Sequence, residues 1–294
     1  MNLKILVLLL VALGAVSTSS IMARFLPGVP AVAIAFWRMA IGSGLLWGYS
    51  LLKPQGMITG TPRRTIFLAG GFLGLHFACF FGAVKLTTIA NATLFATLAP
   101  VFTVLIEKIW FQRPWDHLIL GGLGVALLGA LLVNGGNFNL TGRHTLGIGL
   151  ALLSSLWIAM VFIIAEGVRR TTHTIVYSRT LYFVAGVTLF ILSWITKTPL
   201  LDINTRDMMW LFLLGLVPTI LGHTVLSYTV KFIRPTAVAA VPLGEPILAS
   251  VMALLIFHEA ILFHVAFGGA AILVGLYLIV VHHKSPQPMK FTKL

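Results

Sequence analysis

The chain has 294 residues, of which 59% are hydrophobic and only 9% are charged, and its mean hydropathy is +1.02. Soluble domains are about one quarter charged, so this composition indicates an integral membrane protein. The net charge is +13, but the basic residues are scattered between apolar segments, which argues against a nucleic-acid-binding patch.

Ten apolar segments are long enough to cross a bilayer as helices. A crossing takes about 20 apolar residues, and a helix pairs its own backbone groups inside lipid. Short breaks rich in Pro, Gly and charge separate the segments. We therefore predict an all-α membrane fold of ten spans, numbered in chain order: 3–22, 31–52, 65–84, 88–111, 117–134, 145–166, 175–196, 208–229, 235–257 and 262–282.

The first span resembles a signal peptide, with Lys4 before an apolar core and small residues after it. The apolar stretch continues to Met22, so we interpret it as a membrane span. With the N-terminus inside, thirteen Lys and Arg residues face the cytoplasm, five face outward, and Arg38 and Arg179 lie within spans. This distribution predicts two cytoplasmic termini. We expect the membrane to be the inner membrane of a bacterium.

The second half of the sequence repeats features of the first at a spacing of 146 residues. The matched pairs are Lys85 with Lys231, Pro100 with Pro246, Gly122 with Gly268, and Gly129 with Gly275. Each half has five spans, and an odd number inverts the second half relative to the first. We predict one repeat in 1–134, a connecting loop in 135–144, an inverted repeat in 145–283 and a basic cytoplasmic tail in 284–294.

The stretch V-P-L-G-E-P at 241–246 places a carboxylate inside an apolar span. A charge near the bilayer centre costs at least about 2.5 kcal/mol, so Glu245 is expected to face a polar cavity or a partner. Pro242 and Pro246 remove backbone donors and favour a helix break, as Pro100 does in span 4. Glu245 is therefore a candidate to bind a substrate ammonium, carry a coupling proton or pair with an arginine.

Other polar and aromatic residues within spans are candidates for the same cavity, each with a structural alternative. Arg38 and Arg179 either bind anionic groups or extend to the membrane interface. The two intramembrane histidines either relay protons or are hydrogen-bonded core residues. The remaining candidates are lining residues or plain packing. The candidates beyond the arginines and the Glu245 stretch are His76, His223, Asn91, Thr97, Trp37, Trp157, Tyr182 and Tyr228.

The two five-span halves, the segment TLGIGLALLSSLWIAMVF at 145–162 and the proline-bearing spans 4 and 9 resemble the EamA-type branch of the drug/metabolite transporter superfamily. In size and layout the chain is similar to its amino-acid and metabolite exporters. The resemblance implies ten helices, a central cavity and alternating access. One departure stands out: family members often carry a glutamate after both spans 4 and 9, and here Glu259 has Arg113 as its counterpart.

These features favour a secondary transporter that exports small polar metabolites, with amino acids ranked first. Carriers of lipophilic cations, or of nucleotide sugars and phosphorylated metabolites, are the alternatives, followed by a non-transporting scaffold. An enzyme is disfavoured because the sequence lacks H-E-x-x-H, G-x-S-x-G and paired intramembrane aspartates. A P-loop is absent and Cys79 is the single cysteine, so we predict no cofactor and no metal. The glycine-rich faces of spans 5 and 10 allow a homodimer.

Overall fold

A computed structural model describes residues 3–58, 63–135, 142–257 and 263–282, and all regular structure in these ranges is helical. Nine helical spans meet the length and apolarity expected of a membrane crossing, and span 5 is a shorter apolar helix of 17 residues. The predicted fold class is confirmed. The unbroken spans are Leu3–Arg24, Ala31–Leu52, Arg63–Leu86, His117–Val133, Arg143–Val168, Thr174–Ile195 and Phe263–Val281.

Three spans are interrupted, and each interruption lies beside a proline. Span 4 consists of Ile89–Ala96 and Ala99–Ile109, with Pro100 in the first turn after the break. Span 9 consists of Pro235–Ala240, a 3₁₀ turn over Val241–Gly244 that contains Pro242, and Glu245–Phe257. Proline has no N–H and its ring clashes with the preceding turn, which explains why the α-helix stops there.

Span 8 is interrupted in a different way. It begins as an α-helix at Thr205–Leu214, widens into a π-helix over Gly215–Thr224 and returns to α-helix at Val225–Thr229. Pro218 lies inside the widened segment. π-helical turns are rare and often occur at functional sites, and the sequence alone gave no prediction of this one.

The helix pairings follow a pseudo-two-fold arrangement of the two halves. Spans 2 and 7, spans 4 and 9, and spans 5 and 10 pack on their own counterparts. Span 1 packs on span 8. Their counterparts in the other half, spans 6 and 3, likewise pack on each other. The exact repeat boundaries stay predictions, and Glu259 and the tail 284–294 lie outside the described residues.

The four repeated glycines form the contact between spans 5 and 10. Gly122 lies against the backbone of Gly275, and Gly129 lies against the backbone of Gly268. A Cβ atom added to Gly129 would come within 2.5 Å of the Gly268 carbonyl oxygen. Small residues let membrane helices approach this closely, so these glycines serve packing within the chain. The homodimer stays a prediction.

We expect Gly129→Ala to destabilise the protein by about 1–3 kcal/mol, because the new methyl group would force spans 5 and 10 apart. Gly124→Ala is the matched control on the same span, where an added Cβ meets nothing within 4 Å. Thermal unfolding of the purified variants in detergent measures the difference. Equal midpoints for the two variants would contradict the close backbone contact.

Candidate functional site

A cavity lies between the two halves, where the breaks in spans 4 and 9 face each other. Its volume, taken as the space that the centre of a water-sized sphere can occupy, is about 50 Å³. The wall receives side chains from spans 1, 2, 3, 4, 6, 8 and 9, and much of it is apolar, including Phe77, Phe80 and Phe162. The polar and charged side chains that line it are Ser19, Arg38, His76, Thr97, His223 and Glu245.

Arg38 is the fixed cation of this cavity. Its side chain is 1% exposed; Nε donates to Thr219 Oγ1 at 2.9 Å and Nη1 donates to Ser19 Oγ at 2.7 Å. The guanidinium carbon lies 4.2 Å from the centre of the Phe77 ring. Nη2 is buried and has no hydrogen-bond acceptor among the described residues. Arg38 is therefore held on one side and has a donor left for an anionic group.

The π-helical segment of span 8 explains how Arg38 is held. Thr219 Oγ1 donates to the Leu214 carbonyl five residues earlier at 2.9 Å, a bond that the wider π turn permits. The Tyr182 hydroxyl donates to the Thr219 carbonyl at 3.2 Å. On span 2, a Cβ at Gly42 would lie 2.8 Å from the Thr219 methyl group. Tyr182 thus stabilises the π-helical segment through this hydrogen bond and is not part of the cavity wall.

Two histidines meet in the cavity from spans 3 and 8. The His76 and His223 rings are 6.2 Å apart between centroids. His76 Nδ1 lies 2.9 Å from the Ser154 carbonyl oxygen and 2.8 Å from Ser154 Oγ. A carbonyl only accepts, so this contact favours the Nδ1–H tautomer and leaves His76 Nε2 as an acceptor.

Glu245 faces the same cavity from span 9, at the first residue of the helix that follows the 3₁₀ turn. Its negative charge and the positive charge of Arg38 act on each other electrostatically. Within the described residues the Glu245 carboxylate forms no ion pair with a basic side chain. The cavity wall therefore carries an acid and a base that are not joined by an ion pair.

The remaining candidate residues from the sequence lie away from the cavity wall. Arg179 Nη2 donates to the Gly56 carbonyl at 2.7 Å, and its guanidinium stacks over Trp47. Asn91 accepts from Asn134 Nδ2 at 3.0 Å. The aromatic candidates pack elsewhere: Trp37 donates to the Leu200 carbonyl at 2.7 Å, Trp157 stacks on Phe72, and Tyr228 packs on Phe232.

A second buried charge cluster, which sequence reasoning missed, joins the ends of spans 4 and 6. Arg113 Nη2 donates to both carboxylate oxygens of Glu166, at 2.8 and 2.9 Å, and Arg113 Nη1 lies 3.1 Å from Glu107. Arg170 adds a longer contact to Glu166 at 3.8 Å. Glu166 is fully buried. The sequence signal was Arg113 in the place of a family glutamate, but nothing in the sequence pointed to its partners.

Comparisons with known proteins agree with this architecture. The sequence profile of the EamA-like transporter family matches residues 2–135 and 145–281. A transporter of Archaeoglobus fulgidus named as uncharacterized is 25% identical over 74% of this chain and 77% of its own length. The pseudopaline exporter CntI of Pseudomonas aeruginosa is 26% identical over 72% of each chain. A protein of known crystal structure, 16% identical, superposes with a TM-score of 0.81 over 96% of this chain and 98% of that chain.

We expect a cysteine at position 97 to react with a small charged methanethiosulfonate, because Thr97 lines the cavity. The test uses Thr97→Cys in a Cys79→Ser background, which removes the chain's single cysteine. Ser155→Cys is the control, since Ser155 is fully buried and, unlike Thr97, is not among the residues that line the cavity. The position-97 thiol should react at least about tenfold faster, since reactivity requires access. Equal rates would mean that solvent does not reach the cavity.

Proposed function

Because this chain belongs to the EamA-like transporter family, we propose that it exports small polar metabolites, amino acids first among them, by alternating access. It is a membrane transporter and not an enzyme. One observation carries the substrate proposal: Arg38 and Glu245 share a cavity between the two halves without pairing with each other. The name of the Pseudomonas relative, an exporter, supports the direction of transport.

A zwitterion satisfies both charges of the cavity at once. The substrate carboxylate accepts from the free Nη2 of Arg38, and the substrate ammonium lies at Glu245. Because Ser19 and Thr219 already hold the guanidinium, little side-chain entropy is lost when the carboxylate binds. Apolar walls such as Phe162 then contact the substrate side chain.

The alternative substrates fit the cavity less well. A lipophilic cation would be attracted by the Glu245 carboxylate, but the positive charge of Arg38 in the same cavity would repel it. A nucleotide sugar or phosphometabolite would call for several cations, and Arg38 is the one arginine or lysine among the residues that line the described cavity. In the present proposal, Glu245, His76 and His223 are the groups available to carry a coupling proton.

The buried charge cluster supplies the closure that alternating access requires on one side. Arg113 belongs to the first half and Glu166 to the second, so opening the cavity toward this side separates a buried ion pair. By the Lys and Arg distribution this side is cytoplasmic. The counterpart of Glu107 in the second half is Ala253 and that of Arg113 is Glu259, which lies outside the described residues, so the second half does not repeat the Glu107–Arg113 pair in sequence. We therefore assign Glu107, Arg113 and Glu166 to the cytoplasmic gate.

We expect Glu245→Gln to lower export at least about tenfold, because the amide loses the charge-assisted contact with the substrate ammonium. Uptake or release of radiolabelled amino acids by sealed proteoliposomes measures the rate. Asp202→Asn, an exposed acid-to-amide change in a loop, serves as control and should transport normally. If the Glu245→Gln variant elutes as a folded, monodisperse protein and its transport rate is unchanged, Glu245 has no part in the mechanism.

We expect Glu166→Gln to weaken the cytoplasmic gate. With Thr97→Cys as reporter, a membrane-impermeant reagent should label the cavity from the cytoplasmic side at least about fivefold faster than without the gate substitution. Arg169→Gln is the control, because among the described residues Arg169 donates hydrogen bonds to Ser227, Thr172 and Thr174, all within the second half. Equal cytoplasmic labelling in the Glu166→Gln and Arg169→Gln backgrounds would show that the ion pair is architectural.

A further inference from the structure

A second pocket lies beside the charge cluster, between the end of span 4, the start of span 5 and the start of span 9. Its volume, taken in the same way as that of the central cavity, is about 20 Å³. It is lined by basic, acidic and apolar groups from three spans and is distinct from the central cavity. Its charged side chains are Glu107, Lys108, Arg113, Asp116 and Arg234.

Arg234 is the unusual member of this set. It is only 5% exposed, and its Nε is buried without a hydrogen-bond acceptor among the described residues. Its guanidinium also forms no ion pair with a carboxylate in the described part of the chain. A buried donor on a charged group that lacks an acceptor is costly, so this arrangement favours binding of an anion from outside the chain.

The acids that line the pocket already have partners. Glu107 lies 3.1 Å from Arg113, and the Asp116 carboxylate caps span 5 by accepting from the backbone N–H groups of Leu118 and Ile119. Arg234 also acts electrostatically on Glu107 without forming an ion pair with it, so the donors left for a ligand are the Lys108 ammonium and the Nε of Arg234. An anion with several oxygens matches the planar fork of an arginine best.

The surroundings indicate where the anion comes from. Trp115, which lines the pocket, is 45% exposed, and the Lys108 ammonium lies 5.5 Å from its ring centre. Tryptophan and lysine at a span end are typical of the level of lipid headgroups. Basic pockets between spans on the cytoplasmic side are suited to anionic headgroups. We propose that this pocket binds the phosphate of an anionic phospholipid of the inner leaflet, with Arg234 as its principal ligand.

The experiment compares purified protein titrated with phosphatidylglycerol, with phosphatidylcholine of the same acyl chains, and with inorganic phosphate, and follows thermal unfolding. We expect phosphatidylglycerol to raise the unfolding midpoint more than phosphatidylcholine does, since a native-state ligand stabilises by mass action. In Arg234→Gln the apparent affinity for phosphatidylglycerol should fall at least about tenfold. Lys231→Gln, an exposed residue on the same turn, is the control and should keep the wild-type affinity.

Three results would overturn the proposal. The first is an equal response to both lipids, and the second is an Arg234→Gln variant with wild-type affinity for phosphatidylglycerol. The third is saturation by inorganic phosphate alone, which would assign the site to a soluble anion. If Arg234→Gln does not fold, Arg234→Lys tests the same point, because lysine keeps the charge but loses the fork and should bind more weakly. None of these readouts depends on transport activity.

Discussion

The arrangement of the bundle centre depends on one guanidinium that is buried among apolar spans, because burying a charge there costs free energy. Arg38 is tolerated there because Ser19 and Thr219 accept two of its N–H groups and the Phe77 ring lies over its plane. The acceptor on span 8 is correctly placed only because the helix widens into a π turn. The break in span 9 brings the compensating charge of Glu245 to the same cavity. The departures from regular helix in spans 8 and 9 thus contribute to the environment of a single cation.

The helix pairings of the two halves follow a pseudo-two-fold arrangement, but the π-helical turn of span 8 has no counterpart in span 3, and the polar chemistry of the halves also differs. The glycine contacts between spans 5 and 10 are related pairwise by the pseudo-two-fold axis. The charge cluster of Arg113 and Glu166 breaks that symmetry, because the second half has Ala253 where the first has Glu107. A transporter with symmetric packing and unequal gates has unequal free energies for its two open states. In our proposal the cytoplasmic gate is the one that a buried ion pair holds closed.

The sequence predicted those features that depend on local pattern. Apolar length gave the ten spans, and the prolines at positions 100 and 242 mark breaks that the structure contains. The sequence also identified five candidate residues that line one cavity: Glu245, Arg38, His76, His223 and Thr97. It did not predict the π turn, since Pro218 alone does not distinguish a kink from a widened helix.

Long-range pairing was the part that a single sequence could not give. Arg113 and Glu166 are 53 residues apart, and each resembles an ordinary charge at a span end. Arg179 looked equivalent to Arg38, yet its guanidinium reaches the Gly56 carbonyl and Trp47 instead of the cavity. Periodicity tells which residues share a helix face, but the neighbour of that face is set by tertiary packing.

Charge balance links the central site to the conformational change. With Glu245 ionised, the empty cavity holds one positive and one negative charge and is neutral as a whole. In our proposal a bound zwitterion leaves that sum unchanged, so the loaded and the empty protein would cross between the two open states with the same net charge in the low-dielectric interior. A lone cation or anion would add an uncompensated charge, whose burial is expensive. In our proposal, Arg38 and Glu245 therefore select for substrates that carry both signs, both when the substrate binds and when the gates exchange.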